Sequence, residues 1–162
     1  MRRLIQGIGM AVLGAALTAT AFAHCEIPCG IYDDPARTAL MAEDILTVEK
    51  SMNEIVRLST AEKKNYNQLV RWTMNKEEHA TRIQETATQY FMFQRIKPVS
   101  PDDKGAYDDY VTKLTLLHQI TVEAMKAKQT TDLAHVRSMR SLLHEFEHAY
   151  FGAEAHEHEE KE

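Results

Sequence analysis

Apolar residues recur at helical spacing along most of the chain. One set recurs at steps of four, three, four and three residues: Met41, Ile45, Val48, Met52 and Ile55. These steps place the set on one face of an α-helix. Asp34 can cap that helix, and Pro35 suits its first position because the fixed φ of proline matches the start of a helix. We therefore predict a first helix that ends near Ser59.

The same periodicity predicts three further helices. The second extends from about Ala61 to Ile96, the third begins at Asp102 or Asp103 after the proline-containing loop 97–101, and the fourth is capped within 130–132. Their expected inward positions are Tyr66, Leu69 or Val70, Thr73, Ile83, Ala87 and Phe91, then Tyr107, Val111, Leu114, Leu117, Thr121 and Ala124, then Leu133, Val136, Leu143, Phe146 and Tyr150. No strand-like alternation interrupts them. The pattern predicts an all-α fold, an antiparallel up-and-down four-helix bundle over residues 35–151, followed by a polar, His- and Glu-rich tail at 152–162.

The N-terminus has the organisation of a signal peptide. Two arginines at positions 2 and 3 precede an apolar stretch over 4–23, which ends in the small-x-small sequence Ala21-Phe22-Ala23. We predict that residues 1–23 are removed between Ala23 and His24 and that the protein is exported, to the periplasm or the cell exterior. The alternative is an uncleaved membrane anchor, because about 20 apolar residues can span a bilayer.

Charge and length limit the remaining possibilities. Removal of residues 1–23 leaves about 140 residues, enough for one hydrophobic core and too few for two ordinary domains. The formal net charge of the whole chain is −5, and it becomes more negative when the two arginines leave. This acidic balance argues against nucleic acid or an acidic membrane surface as the partner of the mature protein.

Both cysteines of the chain, Cys25 and Cys29, follow directly after the predicted cleavage site. In an exported protein the default interpretation of two cysteines is a disulfide. A bridge across so short a loop removes little chain entropy from the unfolded state, so it contributes little to stability. The pair therefore calls for another explanation.

Metal binding supplies that explanation. Cleavage frees the α-amine of His24, which can bind a metal together with the backbone nitrogen of Cys25 and the thiolates of Cys25 and Cys29. A planar set of two nitrogens and two sulfurs favours Ni(II) or Cu(II), whereas zinc prefers a tetrahedral set. The imidazole of His24 can take an axial position and stabilise Ni(III). Nickel is favoured, and copper remains open.

The motif His24-Cys25-Glu26-Ile27-Pro28-Cys29-Gly30-Ile31-Tyr32 resembles the N-terminal motif of nickel superoxide dismutases. Residues 75–80 and 90–98 are also similar to that family's second helix and the loop after it. The resemblance defines a nickel-binding hook over residues 24–34.

The resemblance implies a function. Members of the family are homohexamers of four-helix bundles that convert two superoxide radicals to dioxygen and hydrogen peroxide, cycling one nickel per chain between Ni(II) and Ni(III). By motif, His24, Cys25 and Cys29 would bind the metal. Tyr32 would line the entrance and, with His24, serve catalysis. The alternative is an exported nickel- or copper-binding helical protein without turnover.

The resemblance is incomplete around the His24 ring. Members of the family hold this imidazole with a carboxylate from the first helix and a cation from the second. The corresponding positions here are Met41 and His79, with Glu43 and Arg82 as the nearest substitutes.

Histidines near the C-terminus form a second candidate metal set: His144, His148, His156 and His158. Glu145 and His148 make a Glu-x-x-His pair of the kind that di-iron bundles use, but that architecture needs two such pairs and two further carboxylates. The chain has no second pair. We therefore expect a mostly solvated tail.

Overall fold

Four helices make up the computed structural model, which describes residues 28 and 30–152. They are α1 (Asp34–Thr60), α2 (Tyr66–Glu85), α3 (Lys104–Gln129) and α4 (Ala134–Phe151), and α2 continues directly into a π-helical segment, Thr86–Arg95. Helix α1 packs against α2, α2 against α3, α3 against α4, and α4 against α1. Short connections between neighbouring helices give an antiparallel arrangement. The predicted all-α four-helix bundle is confirmed.

The core lies between the four helices and consists of apolar side chains. Phe91 and Phe146 are fully buried, and their ring centroids are 5.0 Å apart in an edge-on arrangement. Predicted inward residues that are buried include Met41, Ile45, Val48, Met52, Ile83, Ala87, Leu117, Ala124, Val136 and Leu143. The hydrophobic periodicity therefore identified most of the core.

The cap of α1 is one residue earlier than predicted. Asp33 is the N-cap, and its Oδ1 accepts a hydrogen bond of 3.1 Å from the Ala36 amide. Asp34 is instead the first residue of the helix, and Pro35 is the second. The prediction that Asp34 caps the helix was wrong because the Asp34 carboxylate is bound by side chains from other helices.

Helix α2 begins later than predicted. Ala61 is extended, with ψ at 143°, and the helix starts only at Tyr66, where the Asn65 side chain accepts a hydrogen bond from the Gln68 amide. The predicted start at Ala61 was wrong because the asparagine cap fixes the first turn. Residues 61–65 therefore connect α1 to α2.

The inward face of the first half of α2 also differs from the prediction. Tyr66, Val70 and Thr73 are exposed, while Leu69 is partly buried and Lys76 is only 4% exposed. The Lys76 ammonium donates to the carbonyls of Lys128 and Thr130, at 2.6 and 3.0 Å, where α3 ends. Because Lys76 is charged, the inner face of this part of α2 does not show the apolar periodicity that predicts a buried face.

The starts of α3 and α4 agree with the sequence. Asp103 caps α3 through the Ala106 amide, and Asp132 accepts a hydrogen bond of 2.8 Å from the Ala134 amide at the start of α4. Val111 is 40% exposed, contrary to the prediction. Tyr110 and Leu114 lie beside it on α3 and pack against the core in its place, so the apolar strip is rotated slightly from its expected position.

The last part of the predicted second helix is π-helical. The amide of Ile96 donates to the carbonyl of Phe91, five residues earlier, at 2.9 Å. Such i→i+5 bonding widens the turn and is rare in proteins. The prediction of one regular α-helix up to Ile96 was therefore wrong in geometry, although the segment is helical to Arg95.

A search of the described helices for a long, apolar membrane-spanning segment found none.

Replacing Lys76 with methionine keeps most of the aliphatic stem but removes the cap on the end of α3. We expect the free energy of unfolding to fall by about 3 kcal/mol, since hydrogen bonds to charged groups contribute about 1.5–3 kcal/mol each. Urea unfolding measures this loss. The control is Lys104→Met, because the exposed Lys104 pairs with Asp108 on the surface and such pairs contribute about 0–1 kcal/mol. Equal stability of the two variants would contradict the assigned cap.

Candidate metal centre

A tight turn precedes α1. The Ile31 amide donates to the Pro28 carbonyl at 2.8 Å, and Gly30 has a φ of 83°. Glycine suits this position because side-chain-bearing residues rarely adopt positive φ. The predicted ligands His24, Cys25 and Cys29 lie outside the described residues. The turn lies directly before Tyr32 and shortly before the first residue of α1.

Tyr32 anchors this segment to the bundle. Its ring meets Tyr90 edge-on, with centroids 5.9 Å apart, and the guanidinium carbon of Arg95 lies 4.3 Å from its centroid. The Tyr32 hydroxyl is 3.5 Å from Gln94 Oε1, a weak contact. The side chain remains 37% exposed. The predicted entrance tyrosine is thus held on the π-helical segment with part of its surface open.

Asp34 is the centre of a hydrogen-bonded cluster beneath this tyrosine. Arg95 Nε lies 2.8 and 3.0 Å from the two carboxylate oxygens, and Arg95 Nη2 lies 2.7 Å from Oδ2. Tyr90 donates to Oδ1 at 2.6 Å, and Tyr150 donates to Oδ2 at 2.9 Å. The cluster joins the start of α1 to the ends of the π-helical segment and of α4.

Burial and hydrogen bonding in the cluster shift the pKa values of all four of its groups. Burial opposes ionisation of Asp34, but hydrogen bonds from Arg95, Tyr90 and Tyr150 outweigh it and lower the pKa of the carboxyl. Burial and the bond to Asp34 raise the pKa of Tyr90 and of Tyr150 to about 12. The bond to Asp34 also raises the pKa of Arg95. At neutral pH the cluster therefore contains one carboxylate, one guanidinium and two neutral phenols.

The positions that the resemblance assigned to partners of the His24 ring lie between α1 and α2. Met41 is fully buried in the core, so it offers no polar group to an imidazole. His79 is paired with Asp44, its Nδ1 lying 2.6 Å from Asp44 Oδ1. A pocket of about 310 Å³ contains this pair, and Glu43 and Arg82 also line it. A carboxylate from the first helix therefore does meet His79, one turn further along than the aligned position.

Two of the four C-terminal histidines, His144 and His148, lie in the part of the chain that the structure describes. His144 and His148 are exposed on α4, and Glu145 accepts a hydrogen bond from Ser141 at 3.1 Å. His156 and His158 lie outside the described residues. Within residues 28 and 30–152 no group of three or more His, Cys, Asp or Glu side chains is arranged to hold a metal ion.

The cluster around Asp34 is the part of the site that the sequence analysis missed. A second acidic residue directly after a helix cap was the only local signal for Asp34. Arg95 lies five residues after Tyr90, a spacing that points to different faces of a regular α-helix. Only the wide turns of the π-helical segment bring both side chains to one carboxylate.

The described residues form a small four-helix bundle, and the two cysteines of the chain come shortly before its first helix in the sequence. A family model of the nickel-containing superoxide dismutases matches residues 19–154. The chain belongs to this family and is an oxidoreductase that uses nickel to act on superoxide. Neither a comparison with curated proteins nor one with solved structures gave a significant match.

Asp34→Asn removes the charge from the cluster while keeping the side chain's size. We expect the free energy of unfolding at pH 7 to fall by about 2 kcal/mol, because the partly buried guanidinium of Arg95 loses its charged partner and hydrogen bonds to charged groups contribute about 1.5–3 kcal/mol. The folded-state pKa of Asp34 is lowered, so its contribution is present above the unfolded pKa of about 3.9 and is lost as the pH falls further.

Urea unfolding of both proteins between pH 3 and pH 7 tests this. The difference from wild type should be largest at neutral pH and should shrink below about pH 4. Asp108→Asn, on the exposed surface, is the control. A difference that does not depend on pH would show that the Asp34 charge is not what stabilises the cluster.

Proposed function

We propose that the nickel of this dismutase is bound at the mature N-terminus, one ion per chain. The ligands are the α-amine and imidazole of His24, the backbone nitrogen of Cys25, and the thiolates of Cys25 and Cys29. Two anionic thiolates and an amide nitrogen suit nickel, which supplies one-electron chemistry by alternating between Ni(II) and Ni(III).

The anchoring of Tyr32 is the observation that carries this proposal. Tyr32 follows Cys29 by three residues in the sequence. Its contacts with Tyr90 and Arg95 hold it at one end of the bundle. Because Cys29 is only three residues before Tyr32 in the sequence, the proposal assigns the nickel site to this end of the bundle. The open part of the Tyr32 side chain then borders the place where a small anion approaches.

The chain's own groups perform the rest of the chemistry. Dismutation consumes two superoxide ions and two protons and gives one dioxygen and one hydrogen peroxide, so protons must reach the reduced product. The Tyr32 hydroxyl hydrogen-bonds the small anion or a water beside it. The phenol of Tyr90 donates to Asp34 at 2.6 Å, whereas the Tyr32 hydroxyl makes only a weak contact of 3.5 Å with Gln94, so of these two tyrosines Tyr32 is the one proposed to face the substrate.

The pocket between α1 and α2 receives the His24 ring in this proposal. Asp44 and His79 provide a carboxylate and an imidazole there. Arg37 lines the same pocket and lies 5.0 Å from the centroid of Tyr90, and Tyr90 in turn contacts Tyr32. Arg37 and Tyr90 therefore link the pocket to Tyr32, the described residue nearest the proposed ligands in this chain of contacts.

We further propose export after cleavage between Ala23 and His24, and assembly as a homohexamer. Export is supported by the leader-like composition of residues 1–23. Assembly is supported by Tyr66, Val70 and Met74, which are 71%, 57% and 65% exposed and are spaced four residues apart on α2. Contiguous exposed apolar surface of this kind is typical of protein contacts.

Cys25→Ser and Cys29→Ser each remove one thiolate from the ligand set. We expect both variants to lose stoichiometric nickel and dismutase activity, while the far-UV circular dichroism stays close to that of wild type because both cysteines precede the first helix, which begins at Asp34. Metal analysis and superoxide decay provide the readouts. Redox-active nickel at one ion per chain in either variant would exclude the two-thiolate ligand set.

Processing supplies a ligand that no side chain can replace. In the precursor the nitrogen of His24 is an amide with a delocalised lone pair, whereas cleavage converts it to an amine with a pKa near 8 that metal binding readily deprotonates. We expect a chain with one extra residue before His24 to fold but to lack the nickel site and its activity.

A removable N-terminal tag that leaves His24 first tests this. Nickel content and superoxide decay are measured before and after tag removal, and a tag that leaves one glycine before His24 is the matched control. Full activity before removal would contradict the amine ligand.

A further inference from the structure

Arg95 lies between the partly buried carboxylate of Asp34 and the ring of Tyr32. On one side its Nε and Nη2 bind both oxygens of Asp34, at 2.7 to 3.0 Å. On the other side its guanidinium carbon is 4.3 Å from the Tyr32 ring centroid, within the range of a cation–π contact. One planar group therefore makes two directional contacts at once.

The partners of Asp34 fix the direction of this guanidinium. Tyr90 and Tyr150 donate to the same carboxylate from two different elements. A carboxylate held by donors from several sides has little freedom to rotate. Because Arg95 binds it through two nitrogens, the plane of the guanidinium is fixed as well.

The π-helical segment is what makes the arrangement possible. With about 100° per residue in a regular α-helix, Arg95 would point about 140° away from Tyr90. The i→i+5 bond between Phe91 and Ile96 shows that five residues here make up roughly one turn. Tyr90 and Arg95 can therefore reach the same carboxylate.

We propose that Arg95, oriented by Asp34, is a positioning residue for Tyr32. This inference rests on the proposed role of Tyr32 at the nickel site. Simple attraction of superoxide by the Arg95 charge is a weaker explanation, because Asp34 neutralises that charge at contact distance.

Two substitutions of Arg95 separate positioning from attraction. Arg95→Lys keeps the positive charge but loses the planar fork that binds two oxygens and stacks on a ring, whereas Arg95→Gln loses both. Lys113→Gln is the charge-matched control, since the Lys113 ammonium lies 5.9 Å from the Tyr150 ring centroid and is also near the cluster. Nickel content, kcat for superoxide decay and its dependence on ionic strength are measured for each.

Positioning predicts that Arg95→Lys and Arg95→Gln both lower kcat by at least about tenfold, since small displacements of a reacting group can cost up to about 100-fold. Both should keep nickel binding and an unchanged dependence on ionic strength, and Lys113→Gln should stay within about twofold of wild type. Wild-type kcat in Arg95→Lys, with loss only in Arg95→Gln and only at low ionic strength, would overturn the proposal in favour of attraction.

A measurement on the nickel-free wild-type chain keeps the proposal testable should an Arg95 variant not fold. With ¹³C-labelled tyrosine, nuclear Overhauser contacts between the Tyr32 ring and the Arg95 side chain should be present, and Arg95→Lys should shift the Tyr32 ring signals while Lys113→Gln should not. Absence of the wild-type contacts would reject the positioning role. Absence of nickel or dismutation from the processed wild-type protein would instead reject the proposed function, so the two failures are distinguishable.

Discussion

The ion pair between Asp34 and Arg95 determines how the N-terminal segment meets the bundle. Its carboxylate lies in the first turn of α1 and its guanidinium at the end of the π-helical segment, and Tyr150 adds a bond from the last turn of α4. Charges that are mostly withdrawn from water lose solvation, so such a pair persists only where several hydrogen bonds offset that cost. Here the two tyrosine hydroxyls and the forked arginine provide them.

The π-helical segment follows from the same constraint. Wide turns have poorer hydrogen-bond geometry than an α-helix and often occur at functional sites. In this protein the wide turns allow Tyr90 and Arg95 to bind one carboxylate, that of Asp34. Arg95 also makes a cation–π contact with the ring of Tyr32. The π-helical segment therefore connects the cluster around Asp34 to Tyr32, which lies beside the proposed nickel hook.

The proposed nickel ligands and the residues that would surround them are specified by different parts of the chain. In the proposed nickel site all ligands would come from a few neighbouring residues, so a short stretch of sequence is enough to predict them. The residues around such a site come from different helices, and their arrangement depends on the fold. Met41, the position aligned with the family's carboxylate, is buried in the core. Asp44, one turn further along the same helix, pairs with His79 instead. The two helices therefore still provide a carboxylate and a ring nitrogen, but the carboxylate comes from a position one turn later.

The sequence by itself determined the all-α class, the hook motif and most of the apolar stripes, because helical periodicity and ligand spacing are local properties. It did not reveal the inward-facing Lys76, since a charged side chain on the core face breaks the apolar pattern that marks this face. Nor did it reveal that Asp34 leaves the capping position to Asp33. The tertiary structure decides this, because the side chains that donate hydrogen bonds to the partly buried carboxylate of Asp34 come from the π-helical segment and from α4, which are distant from it in sequence.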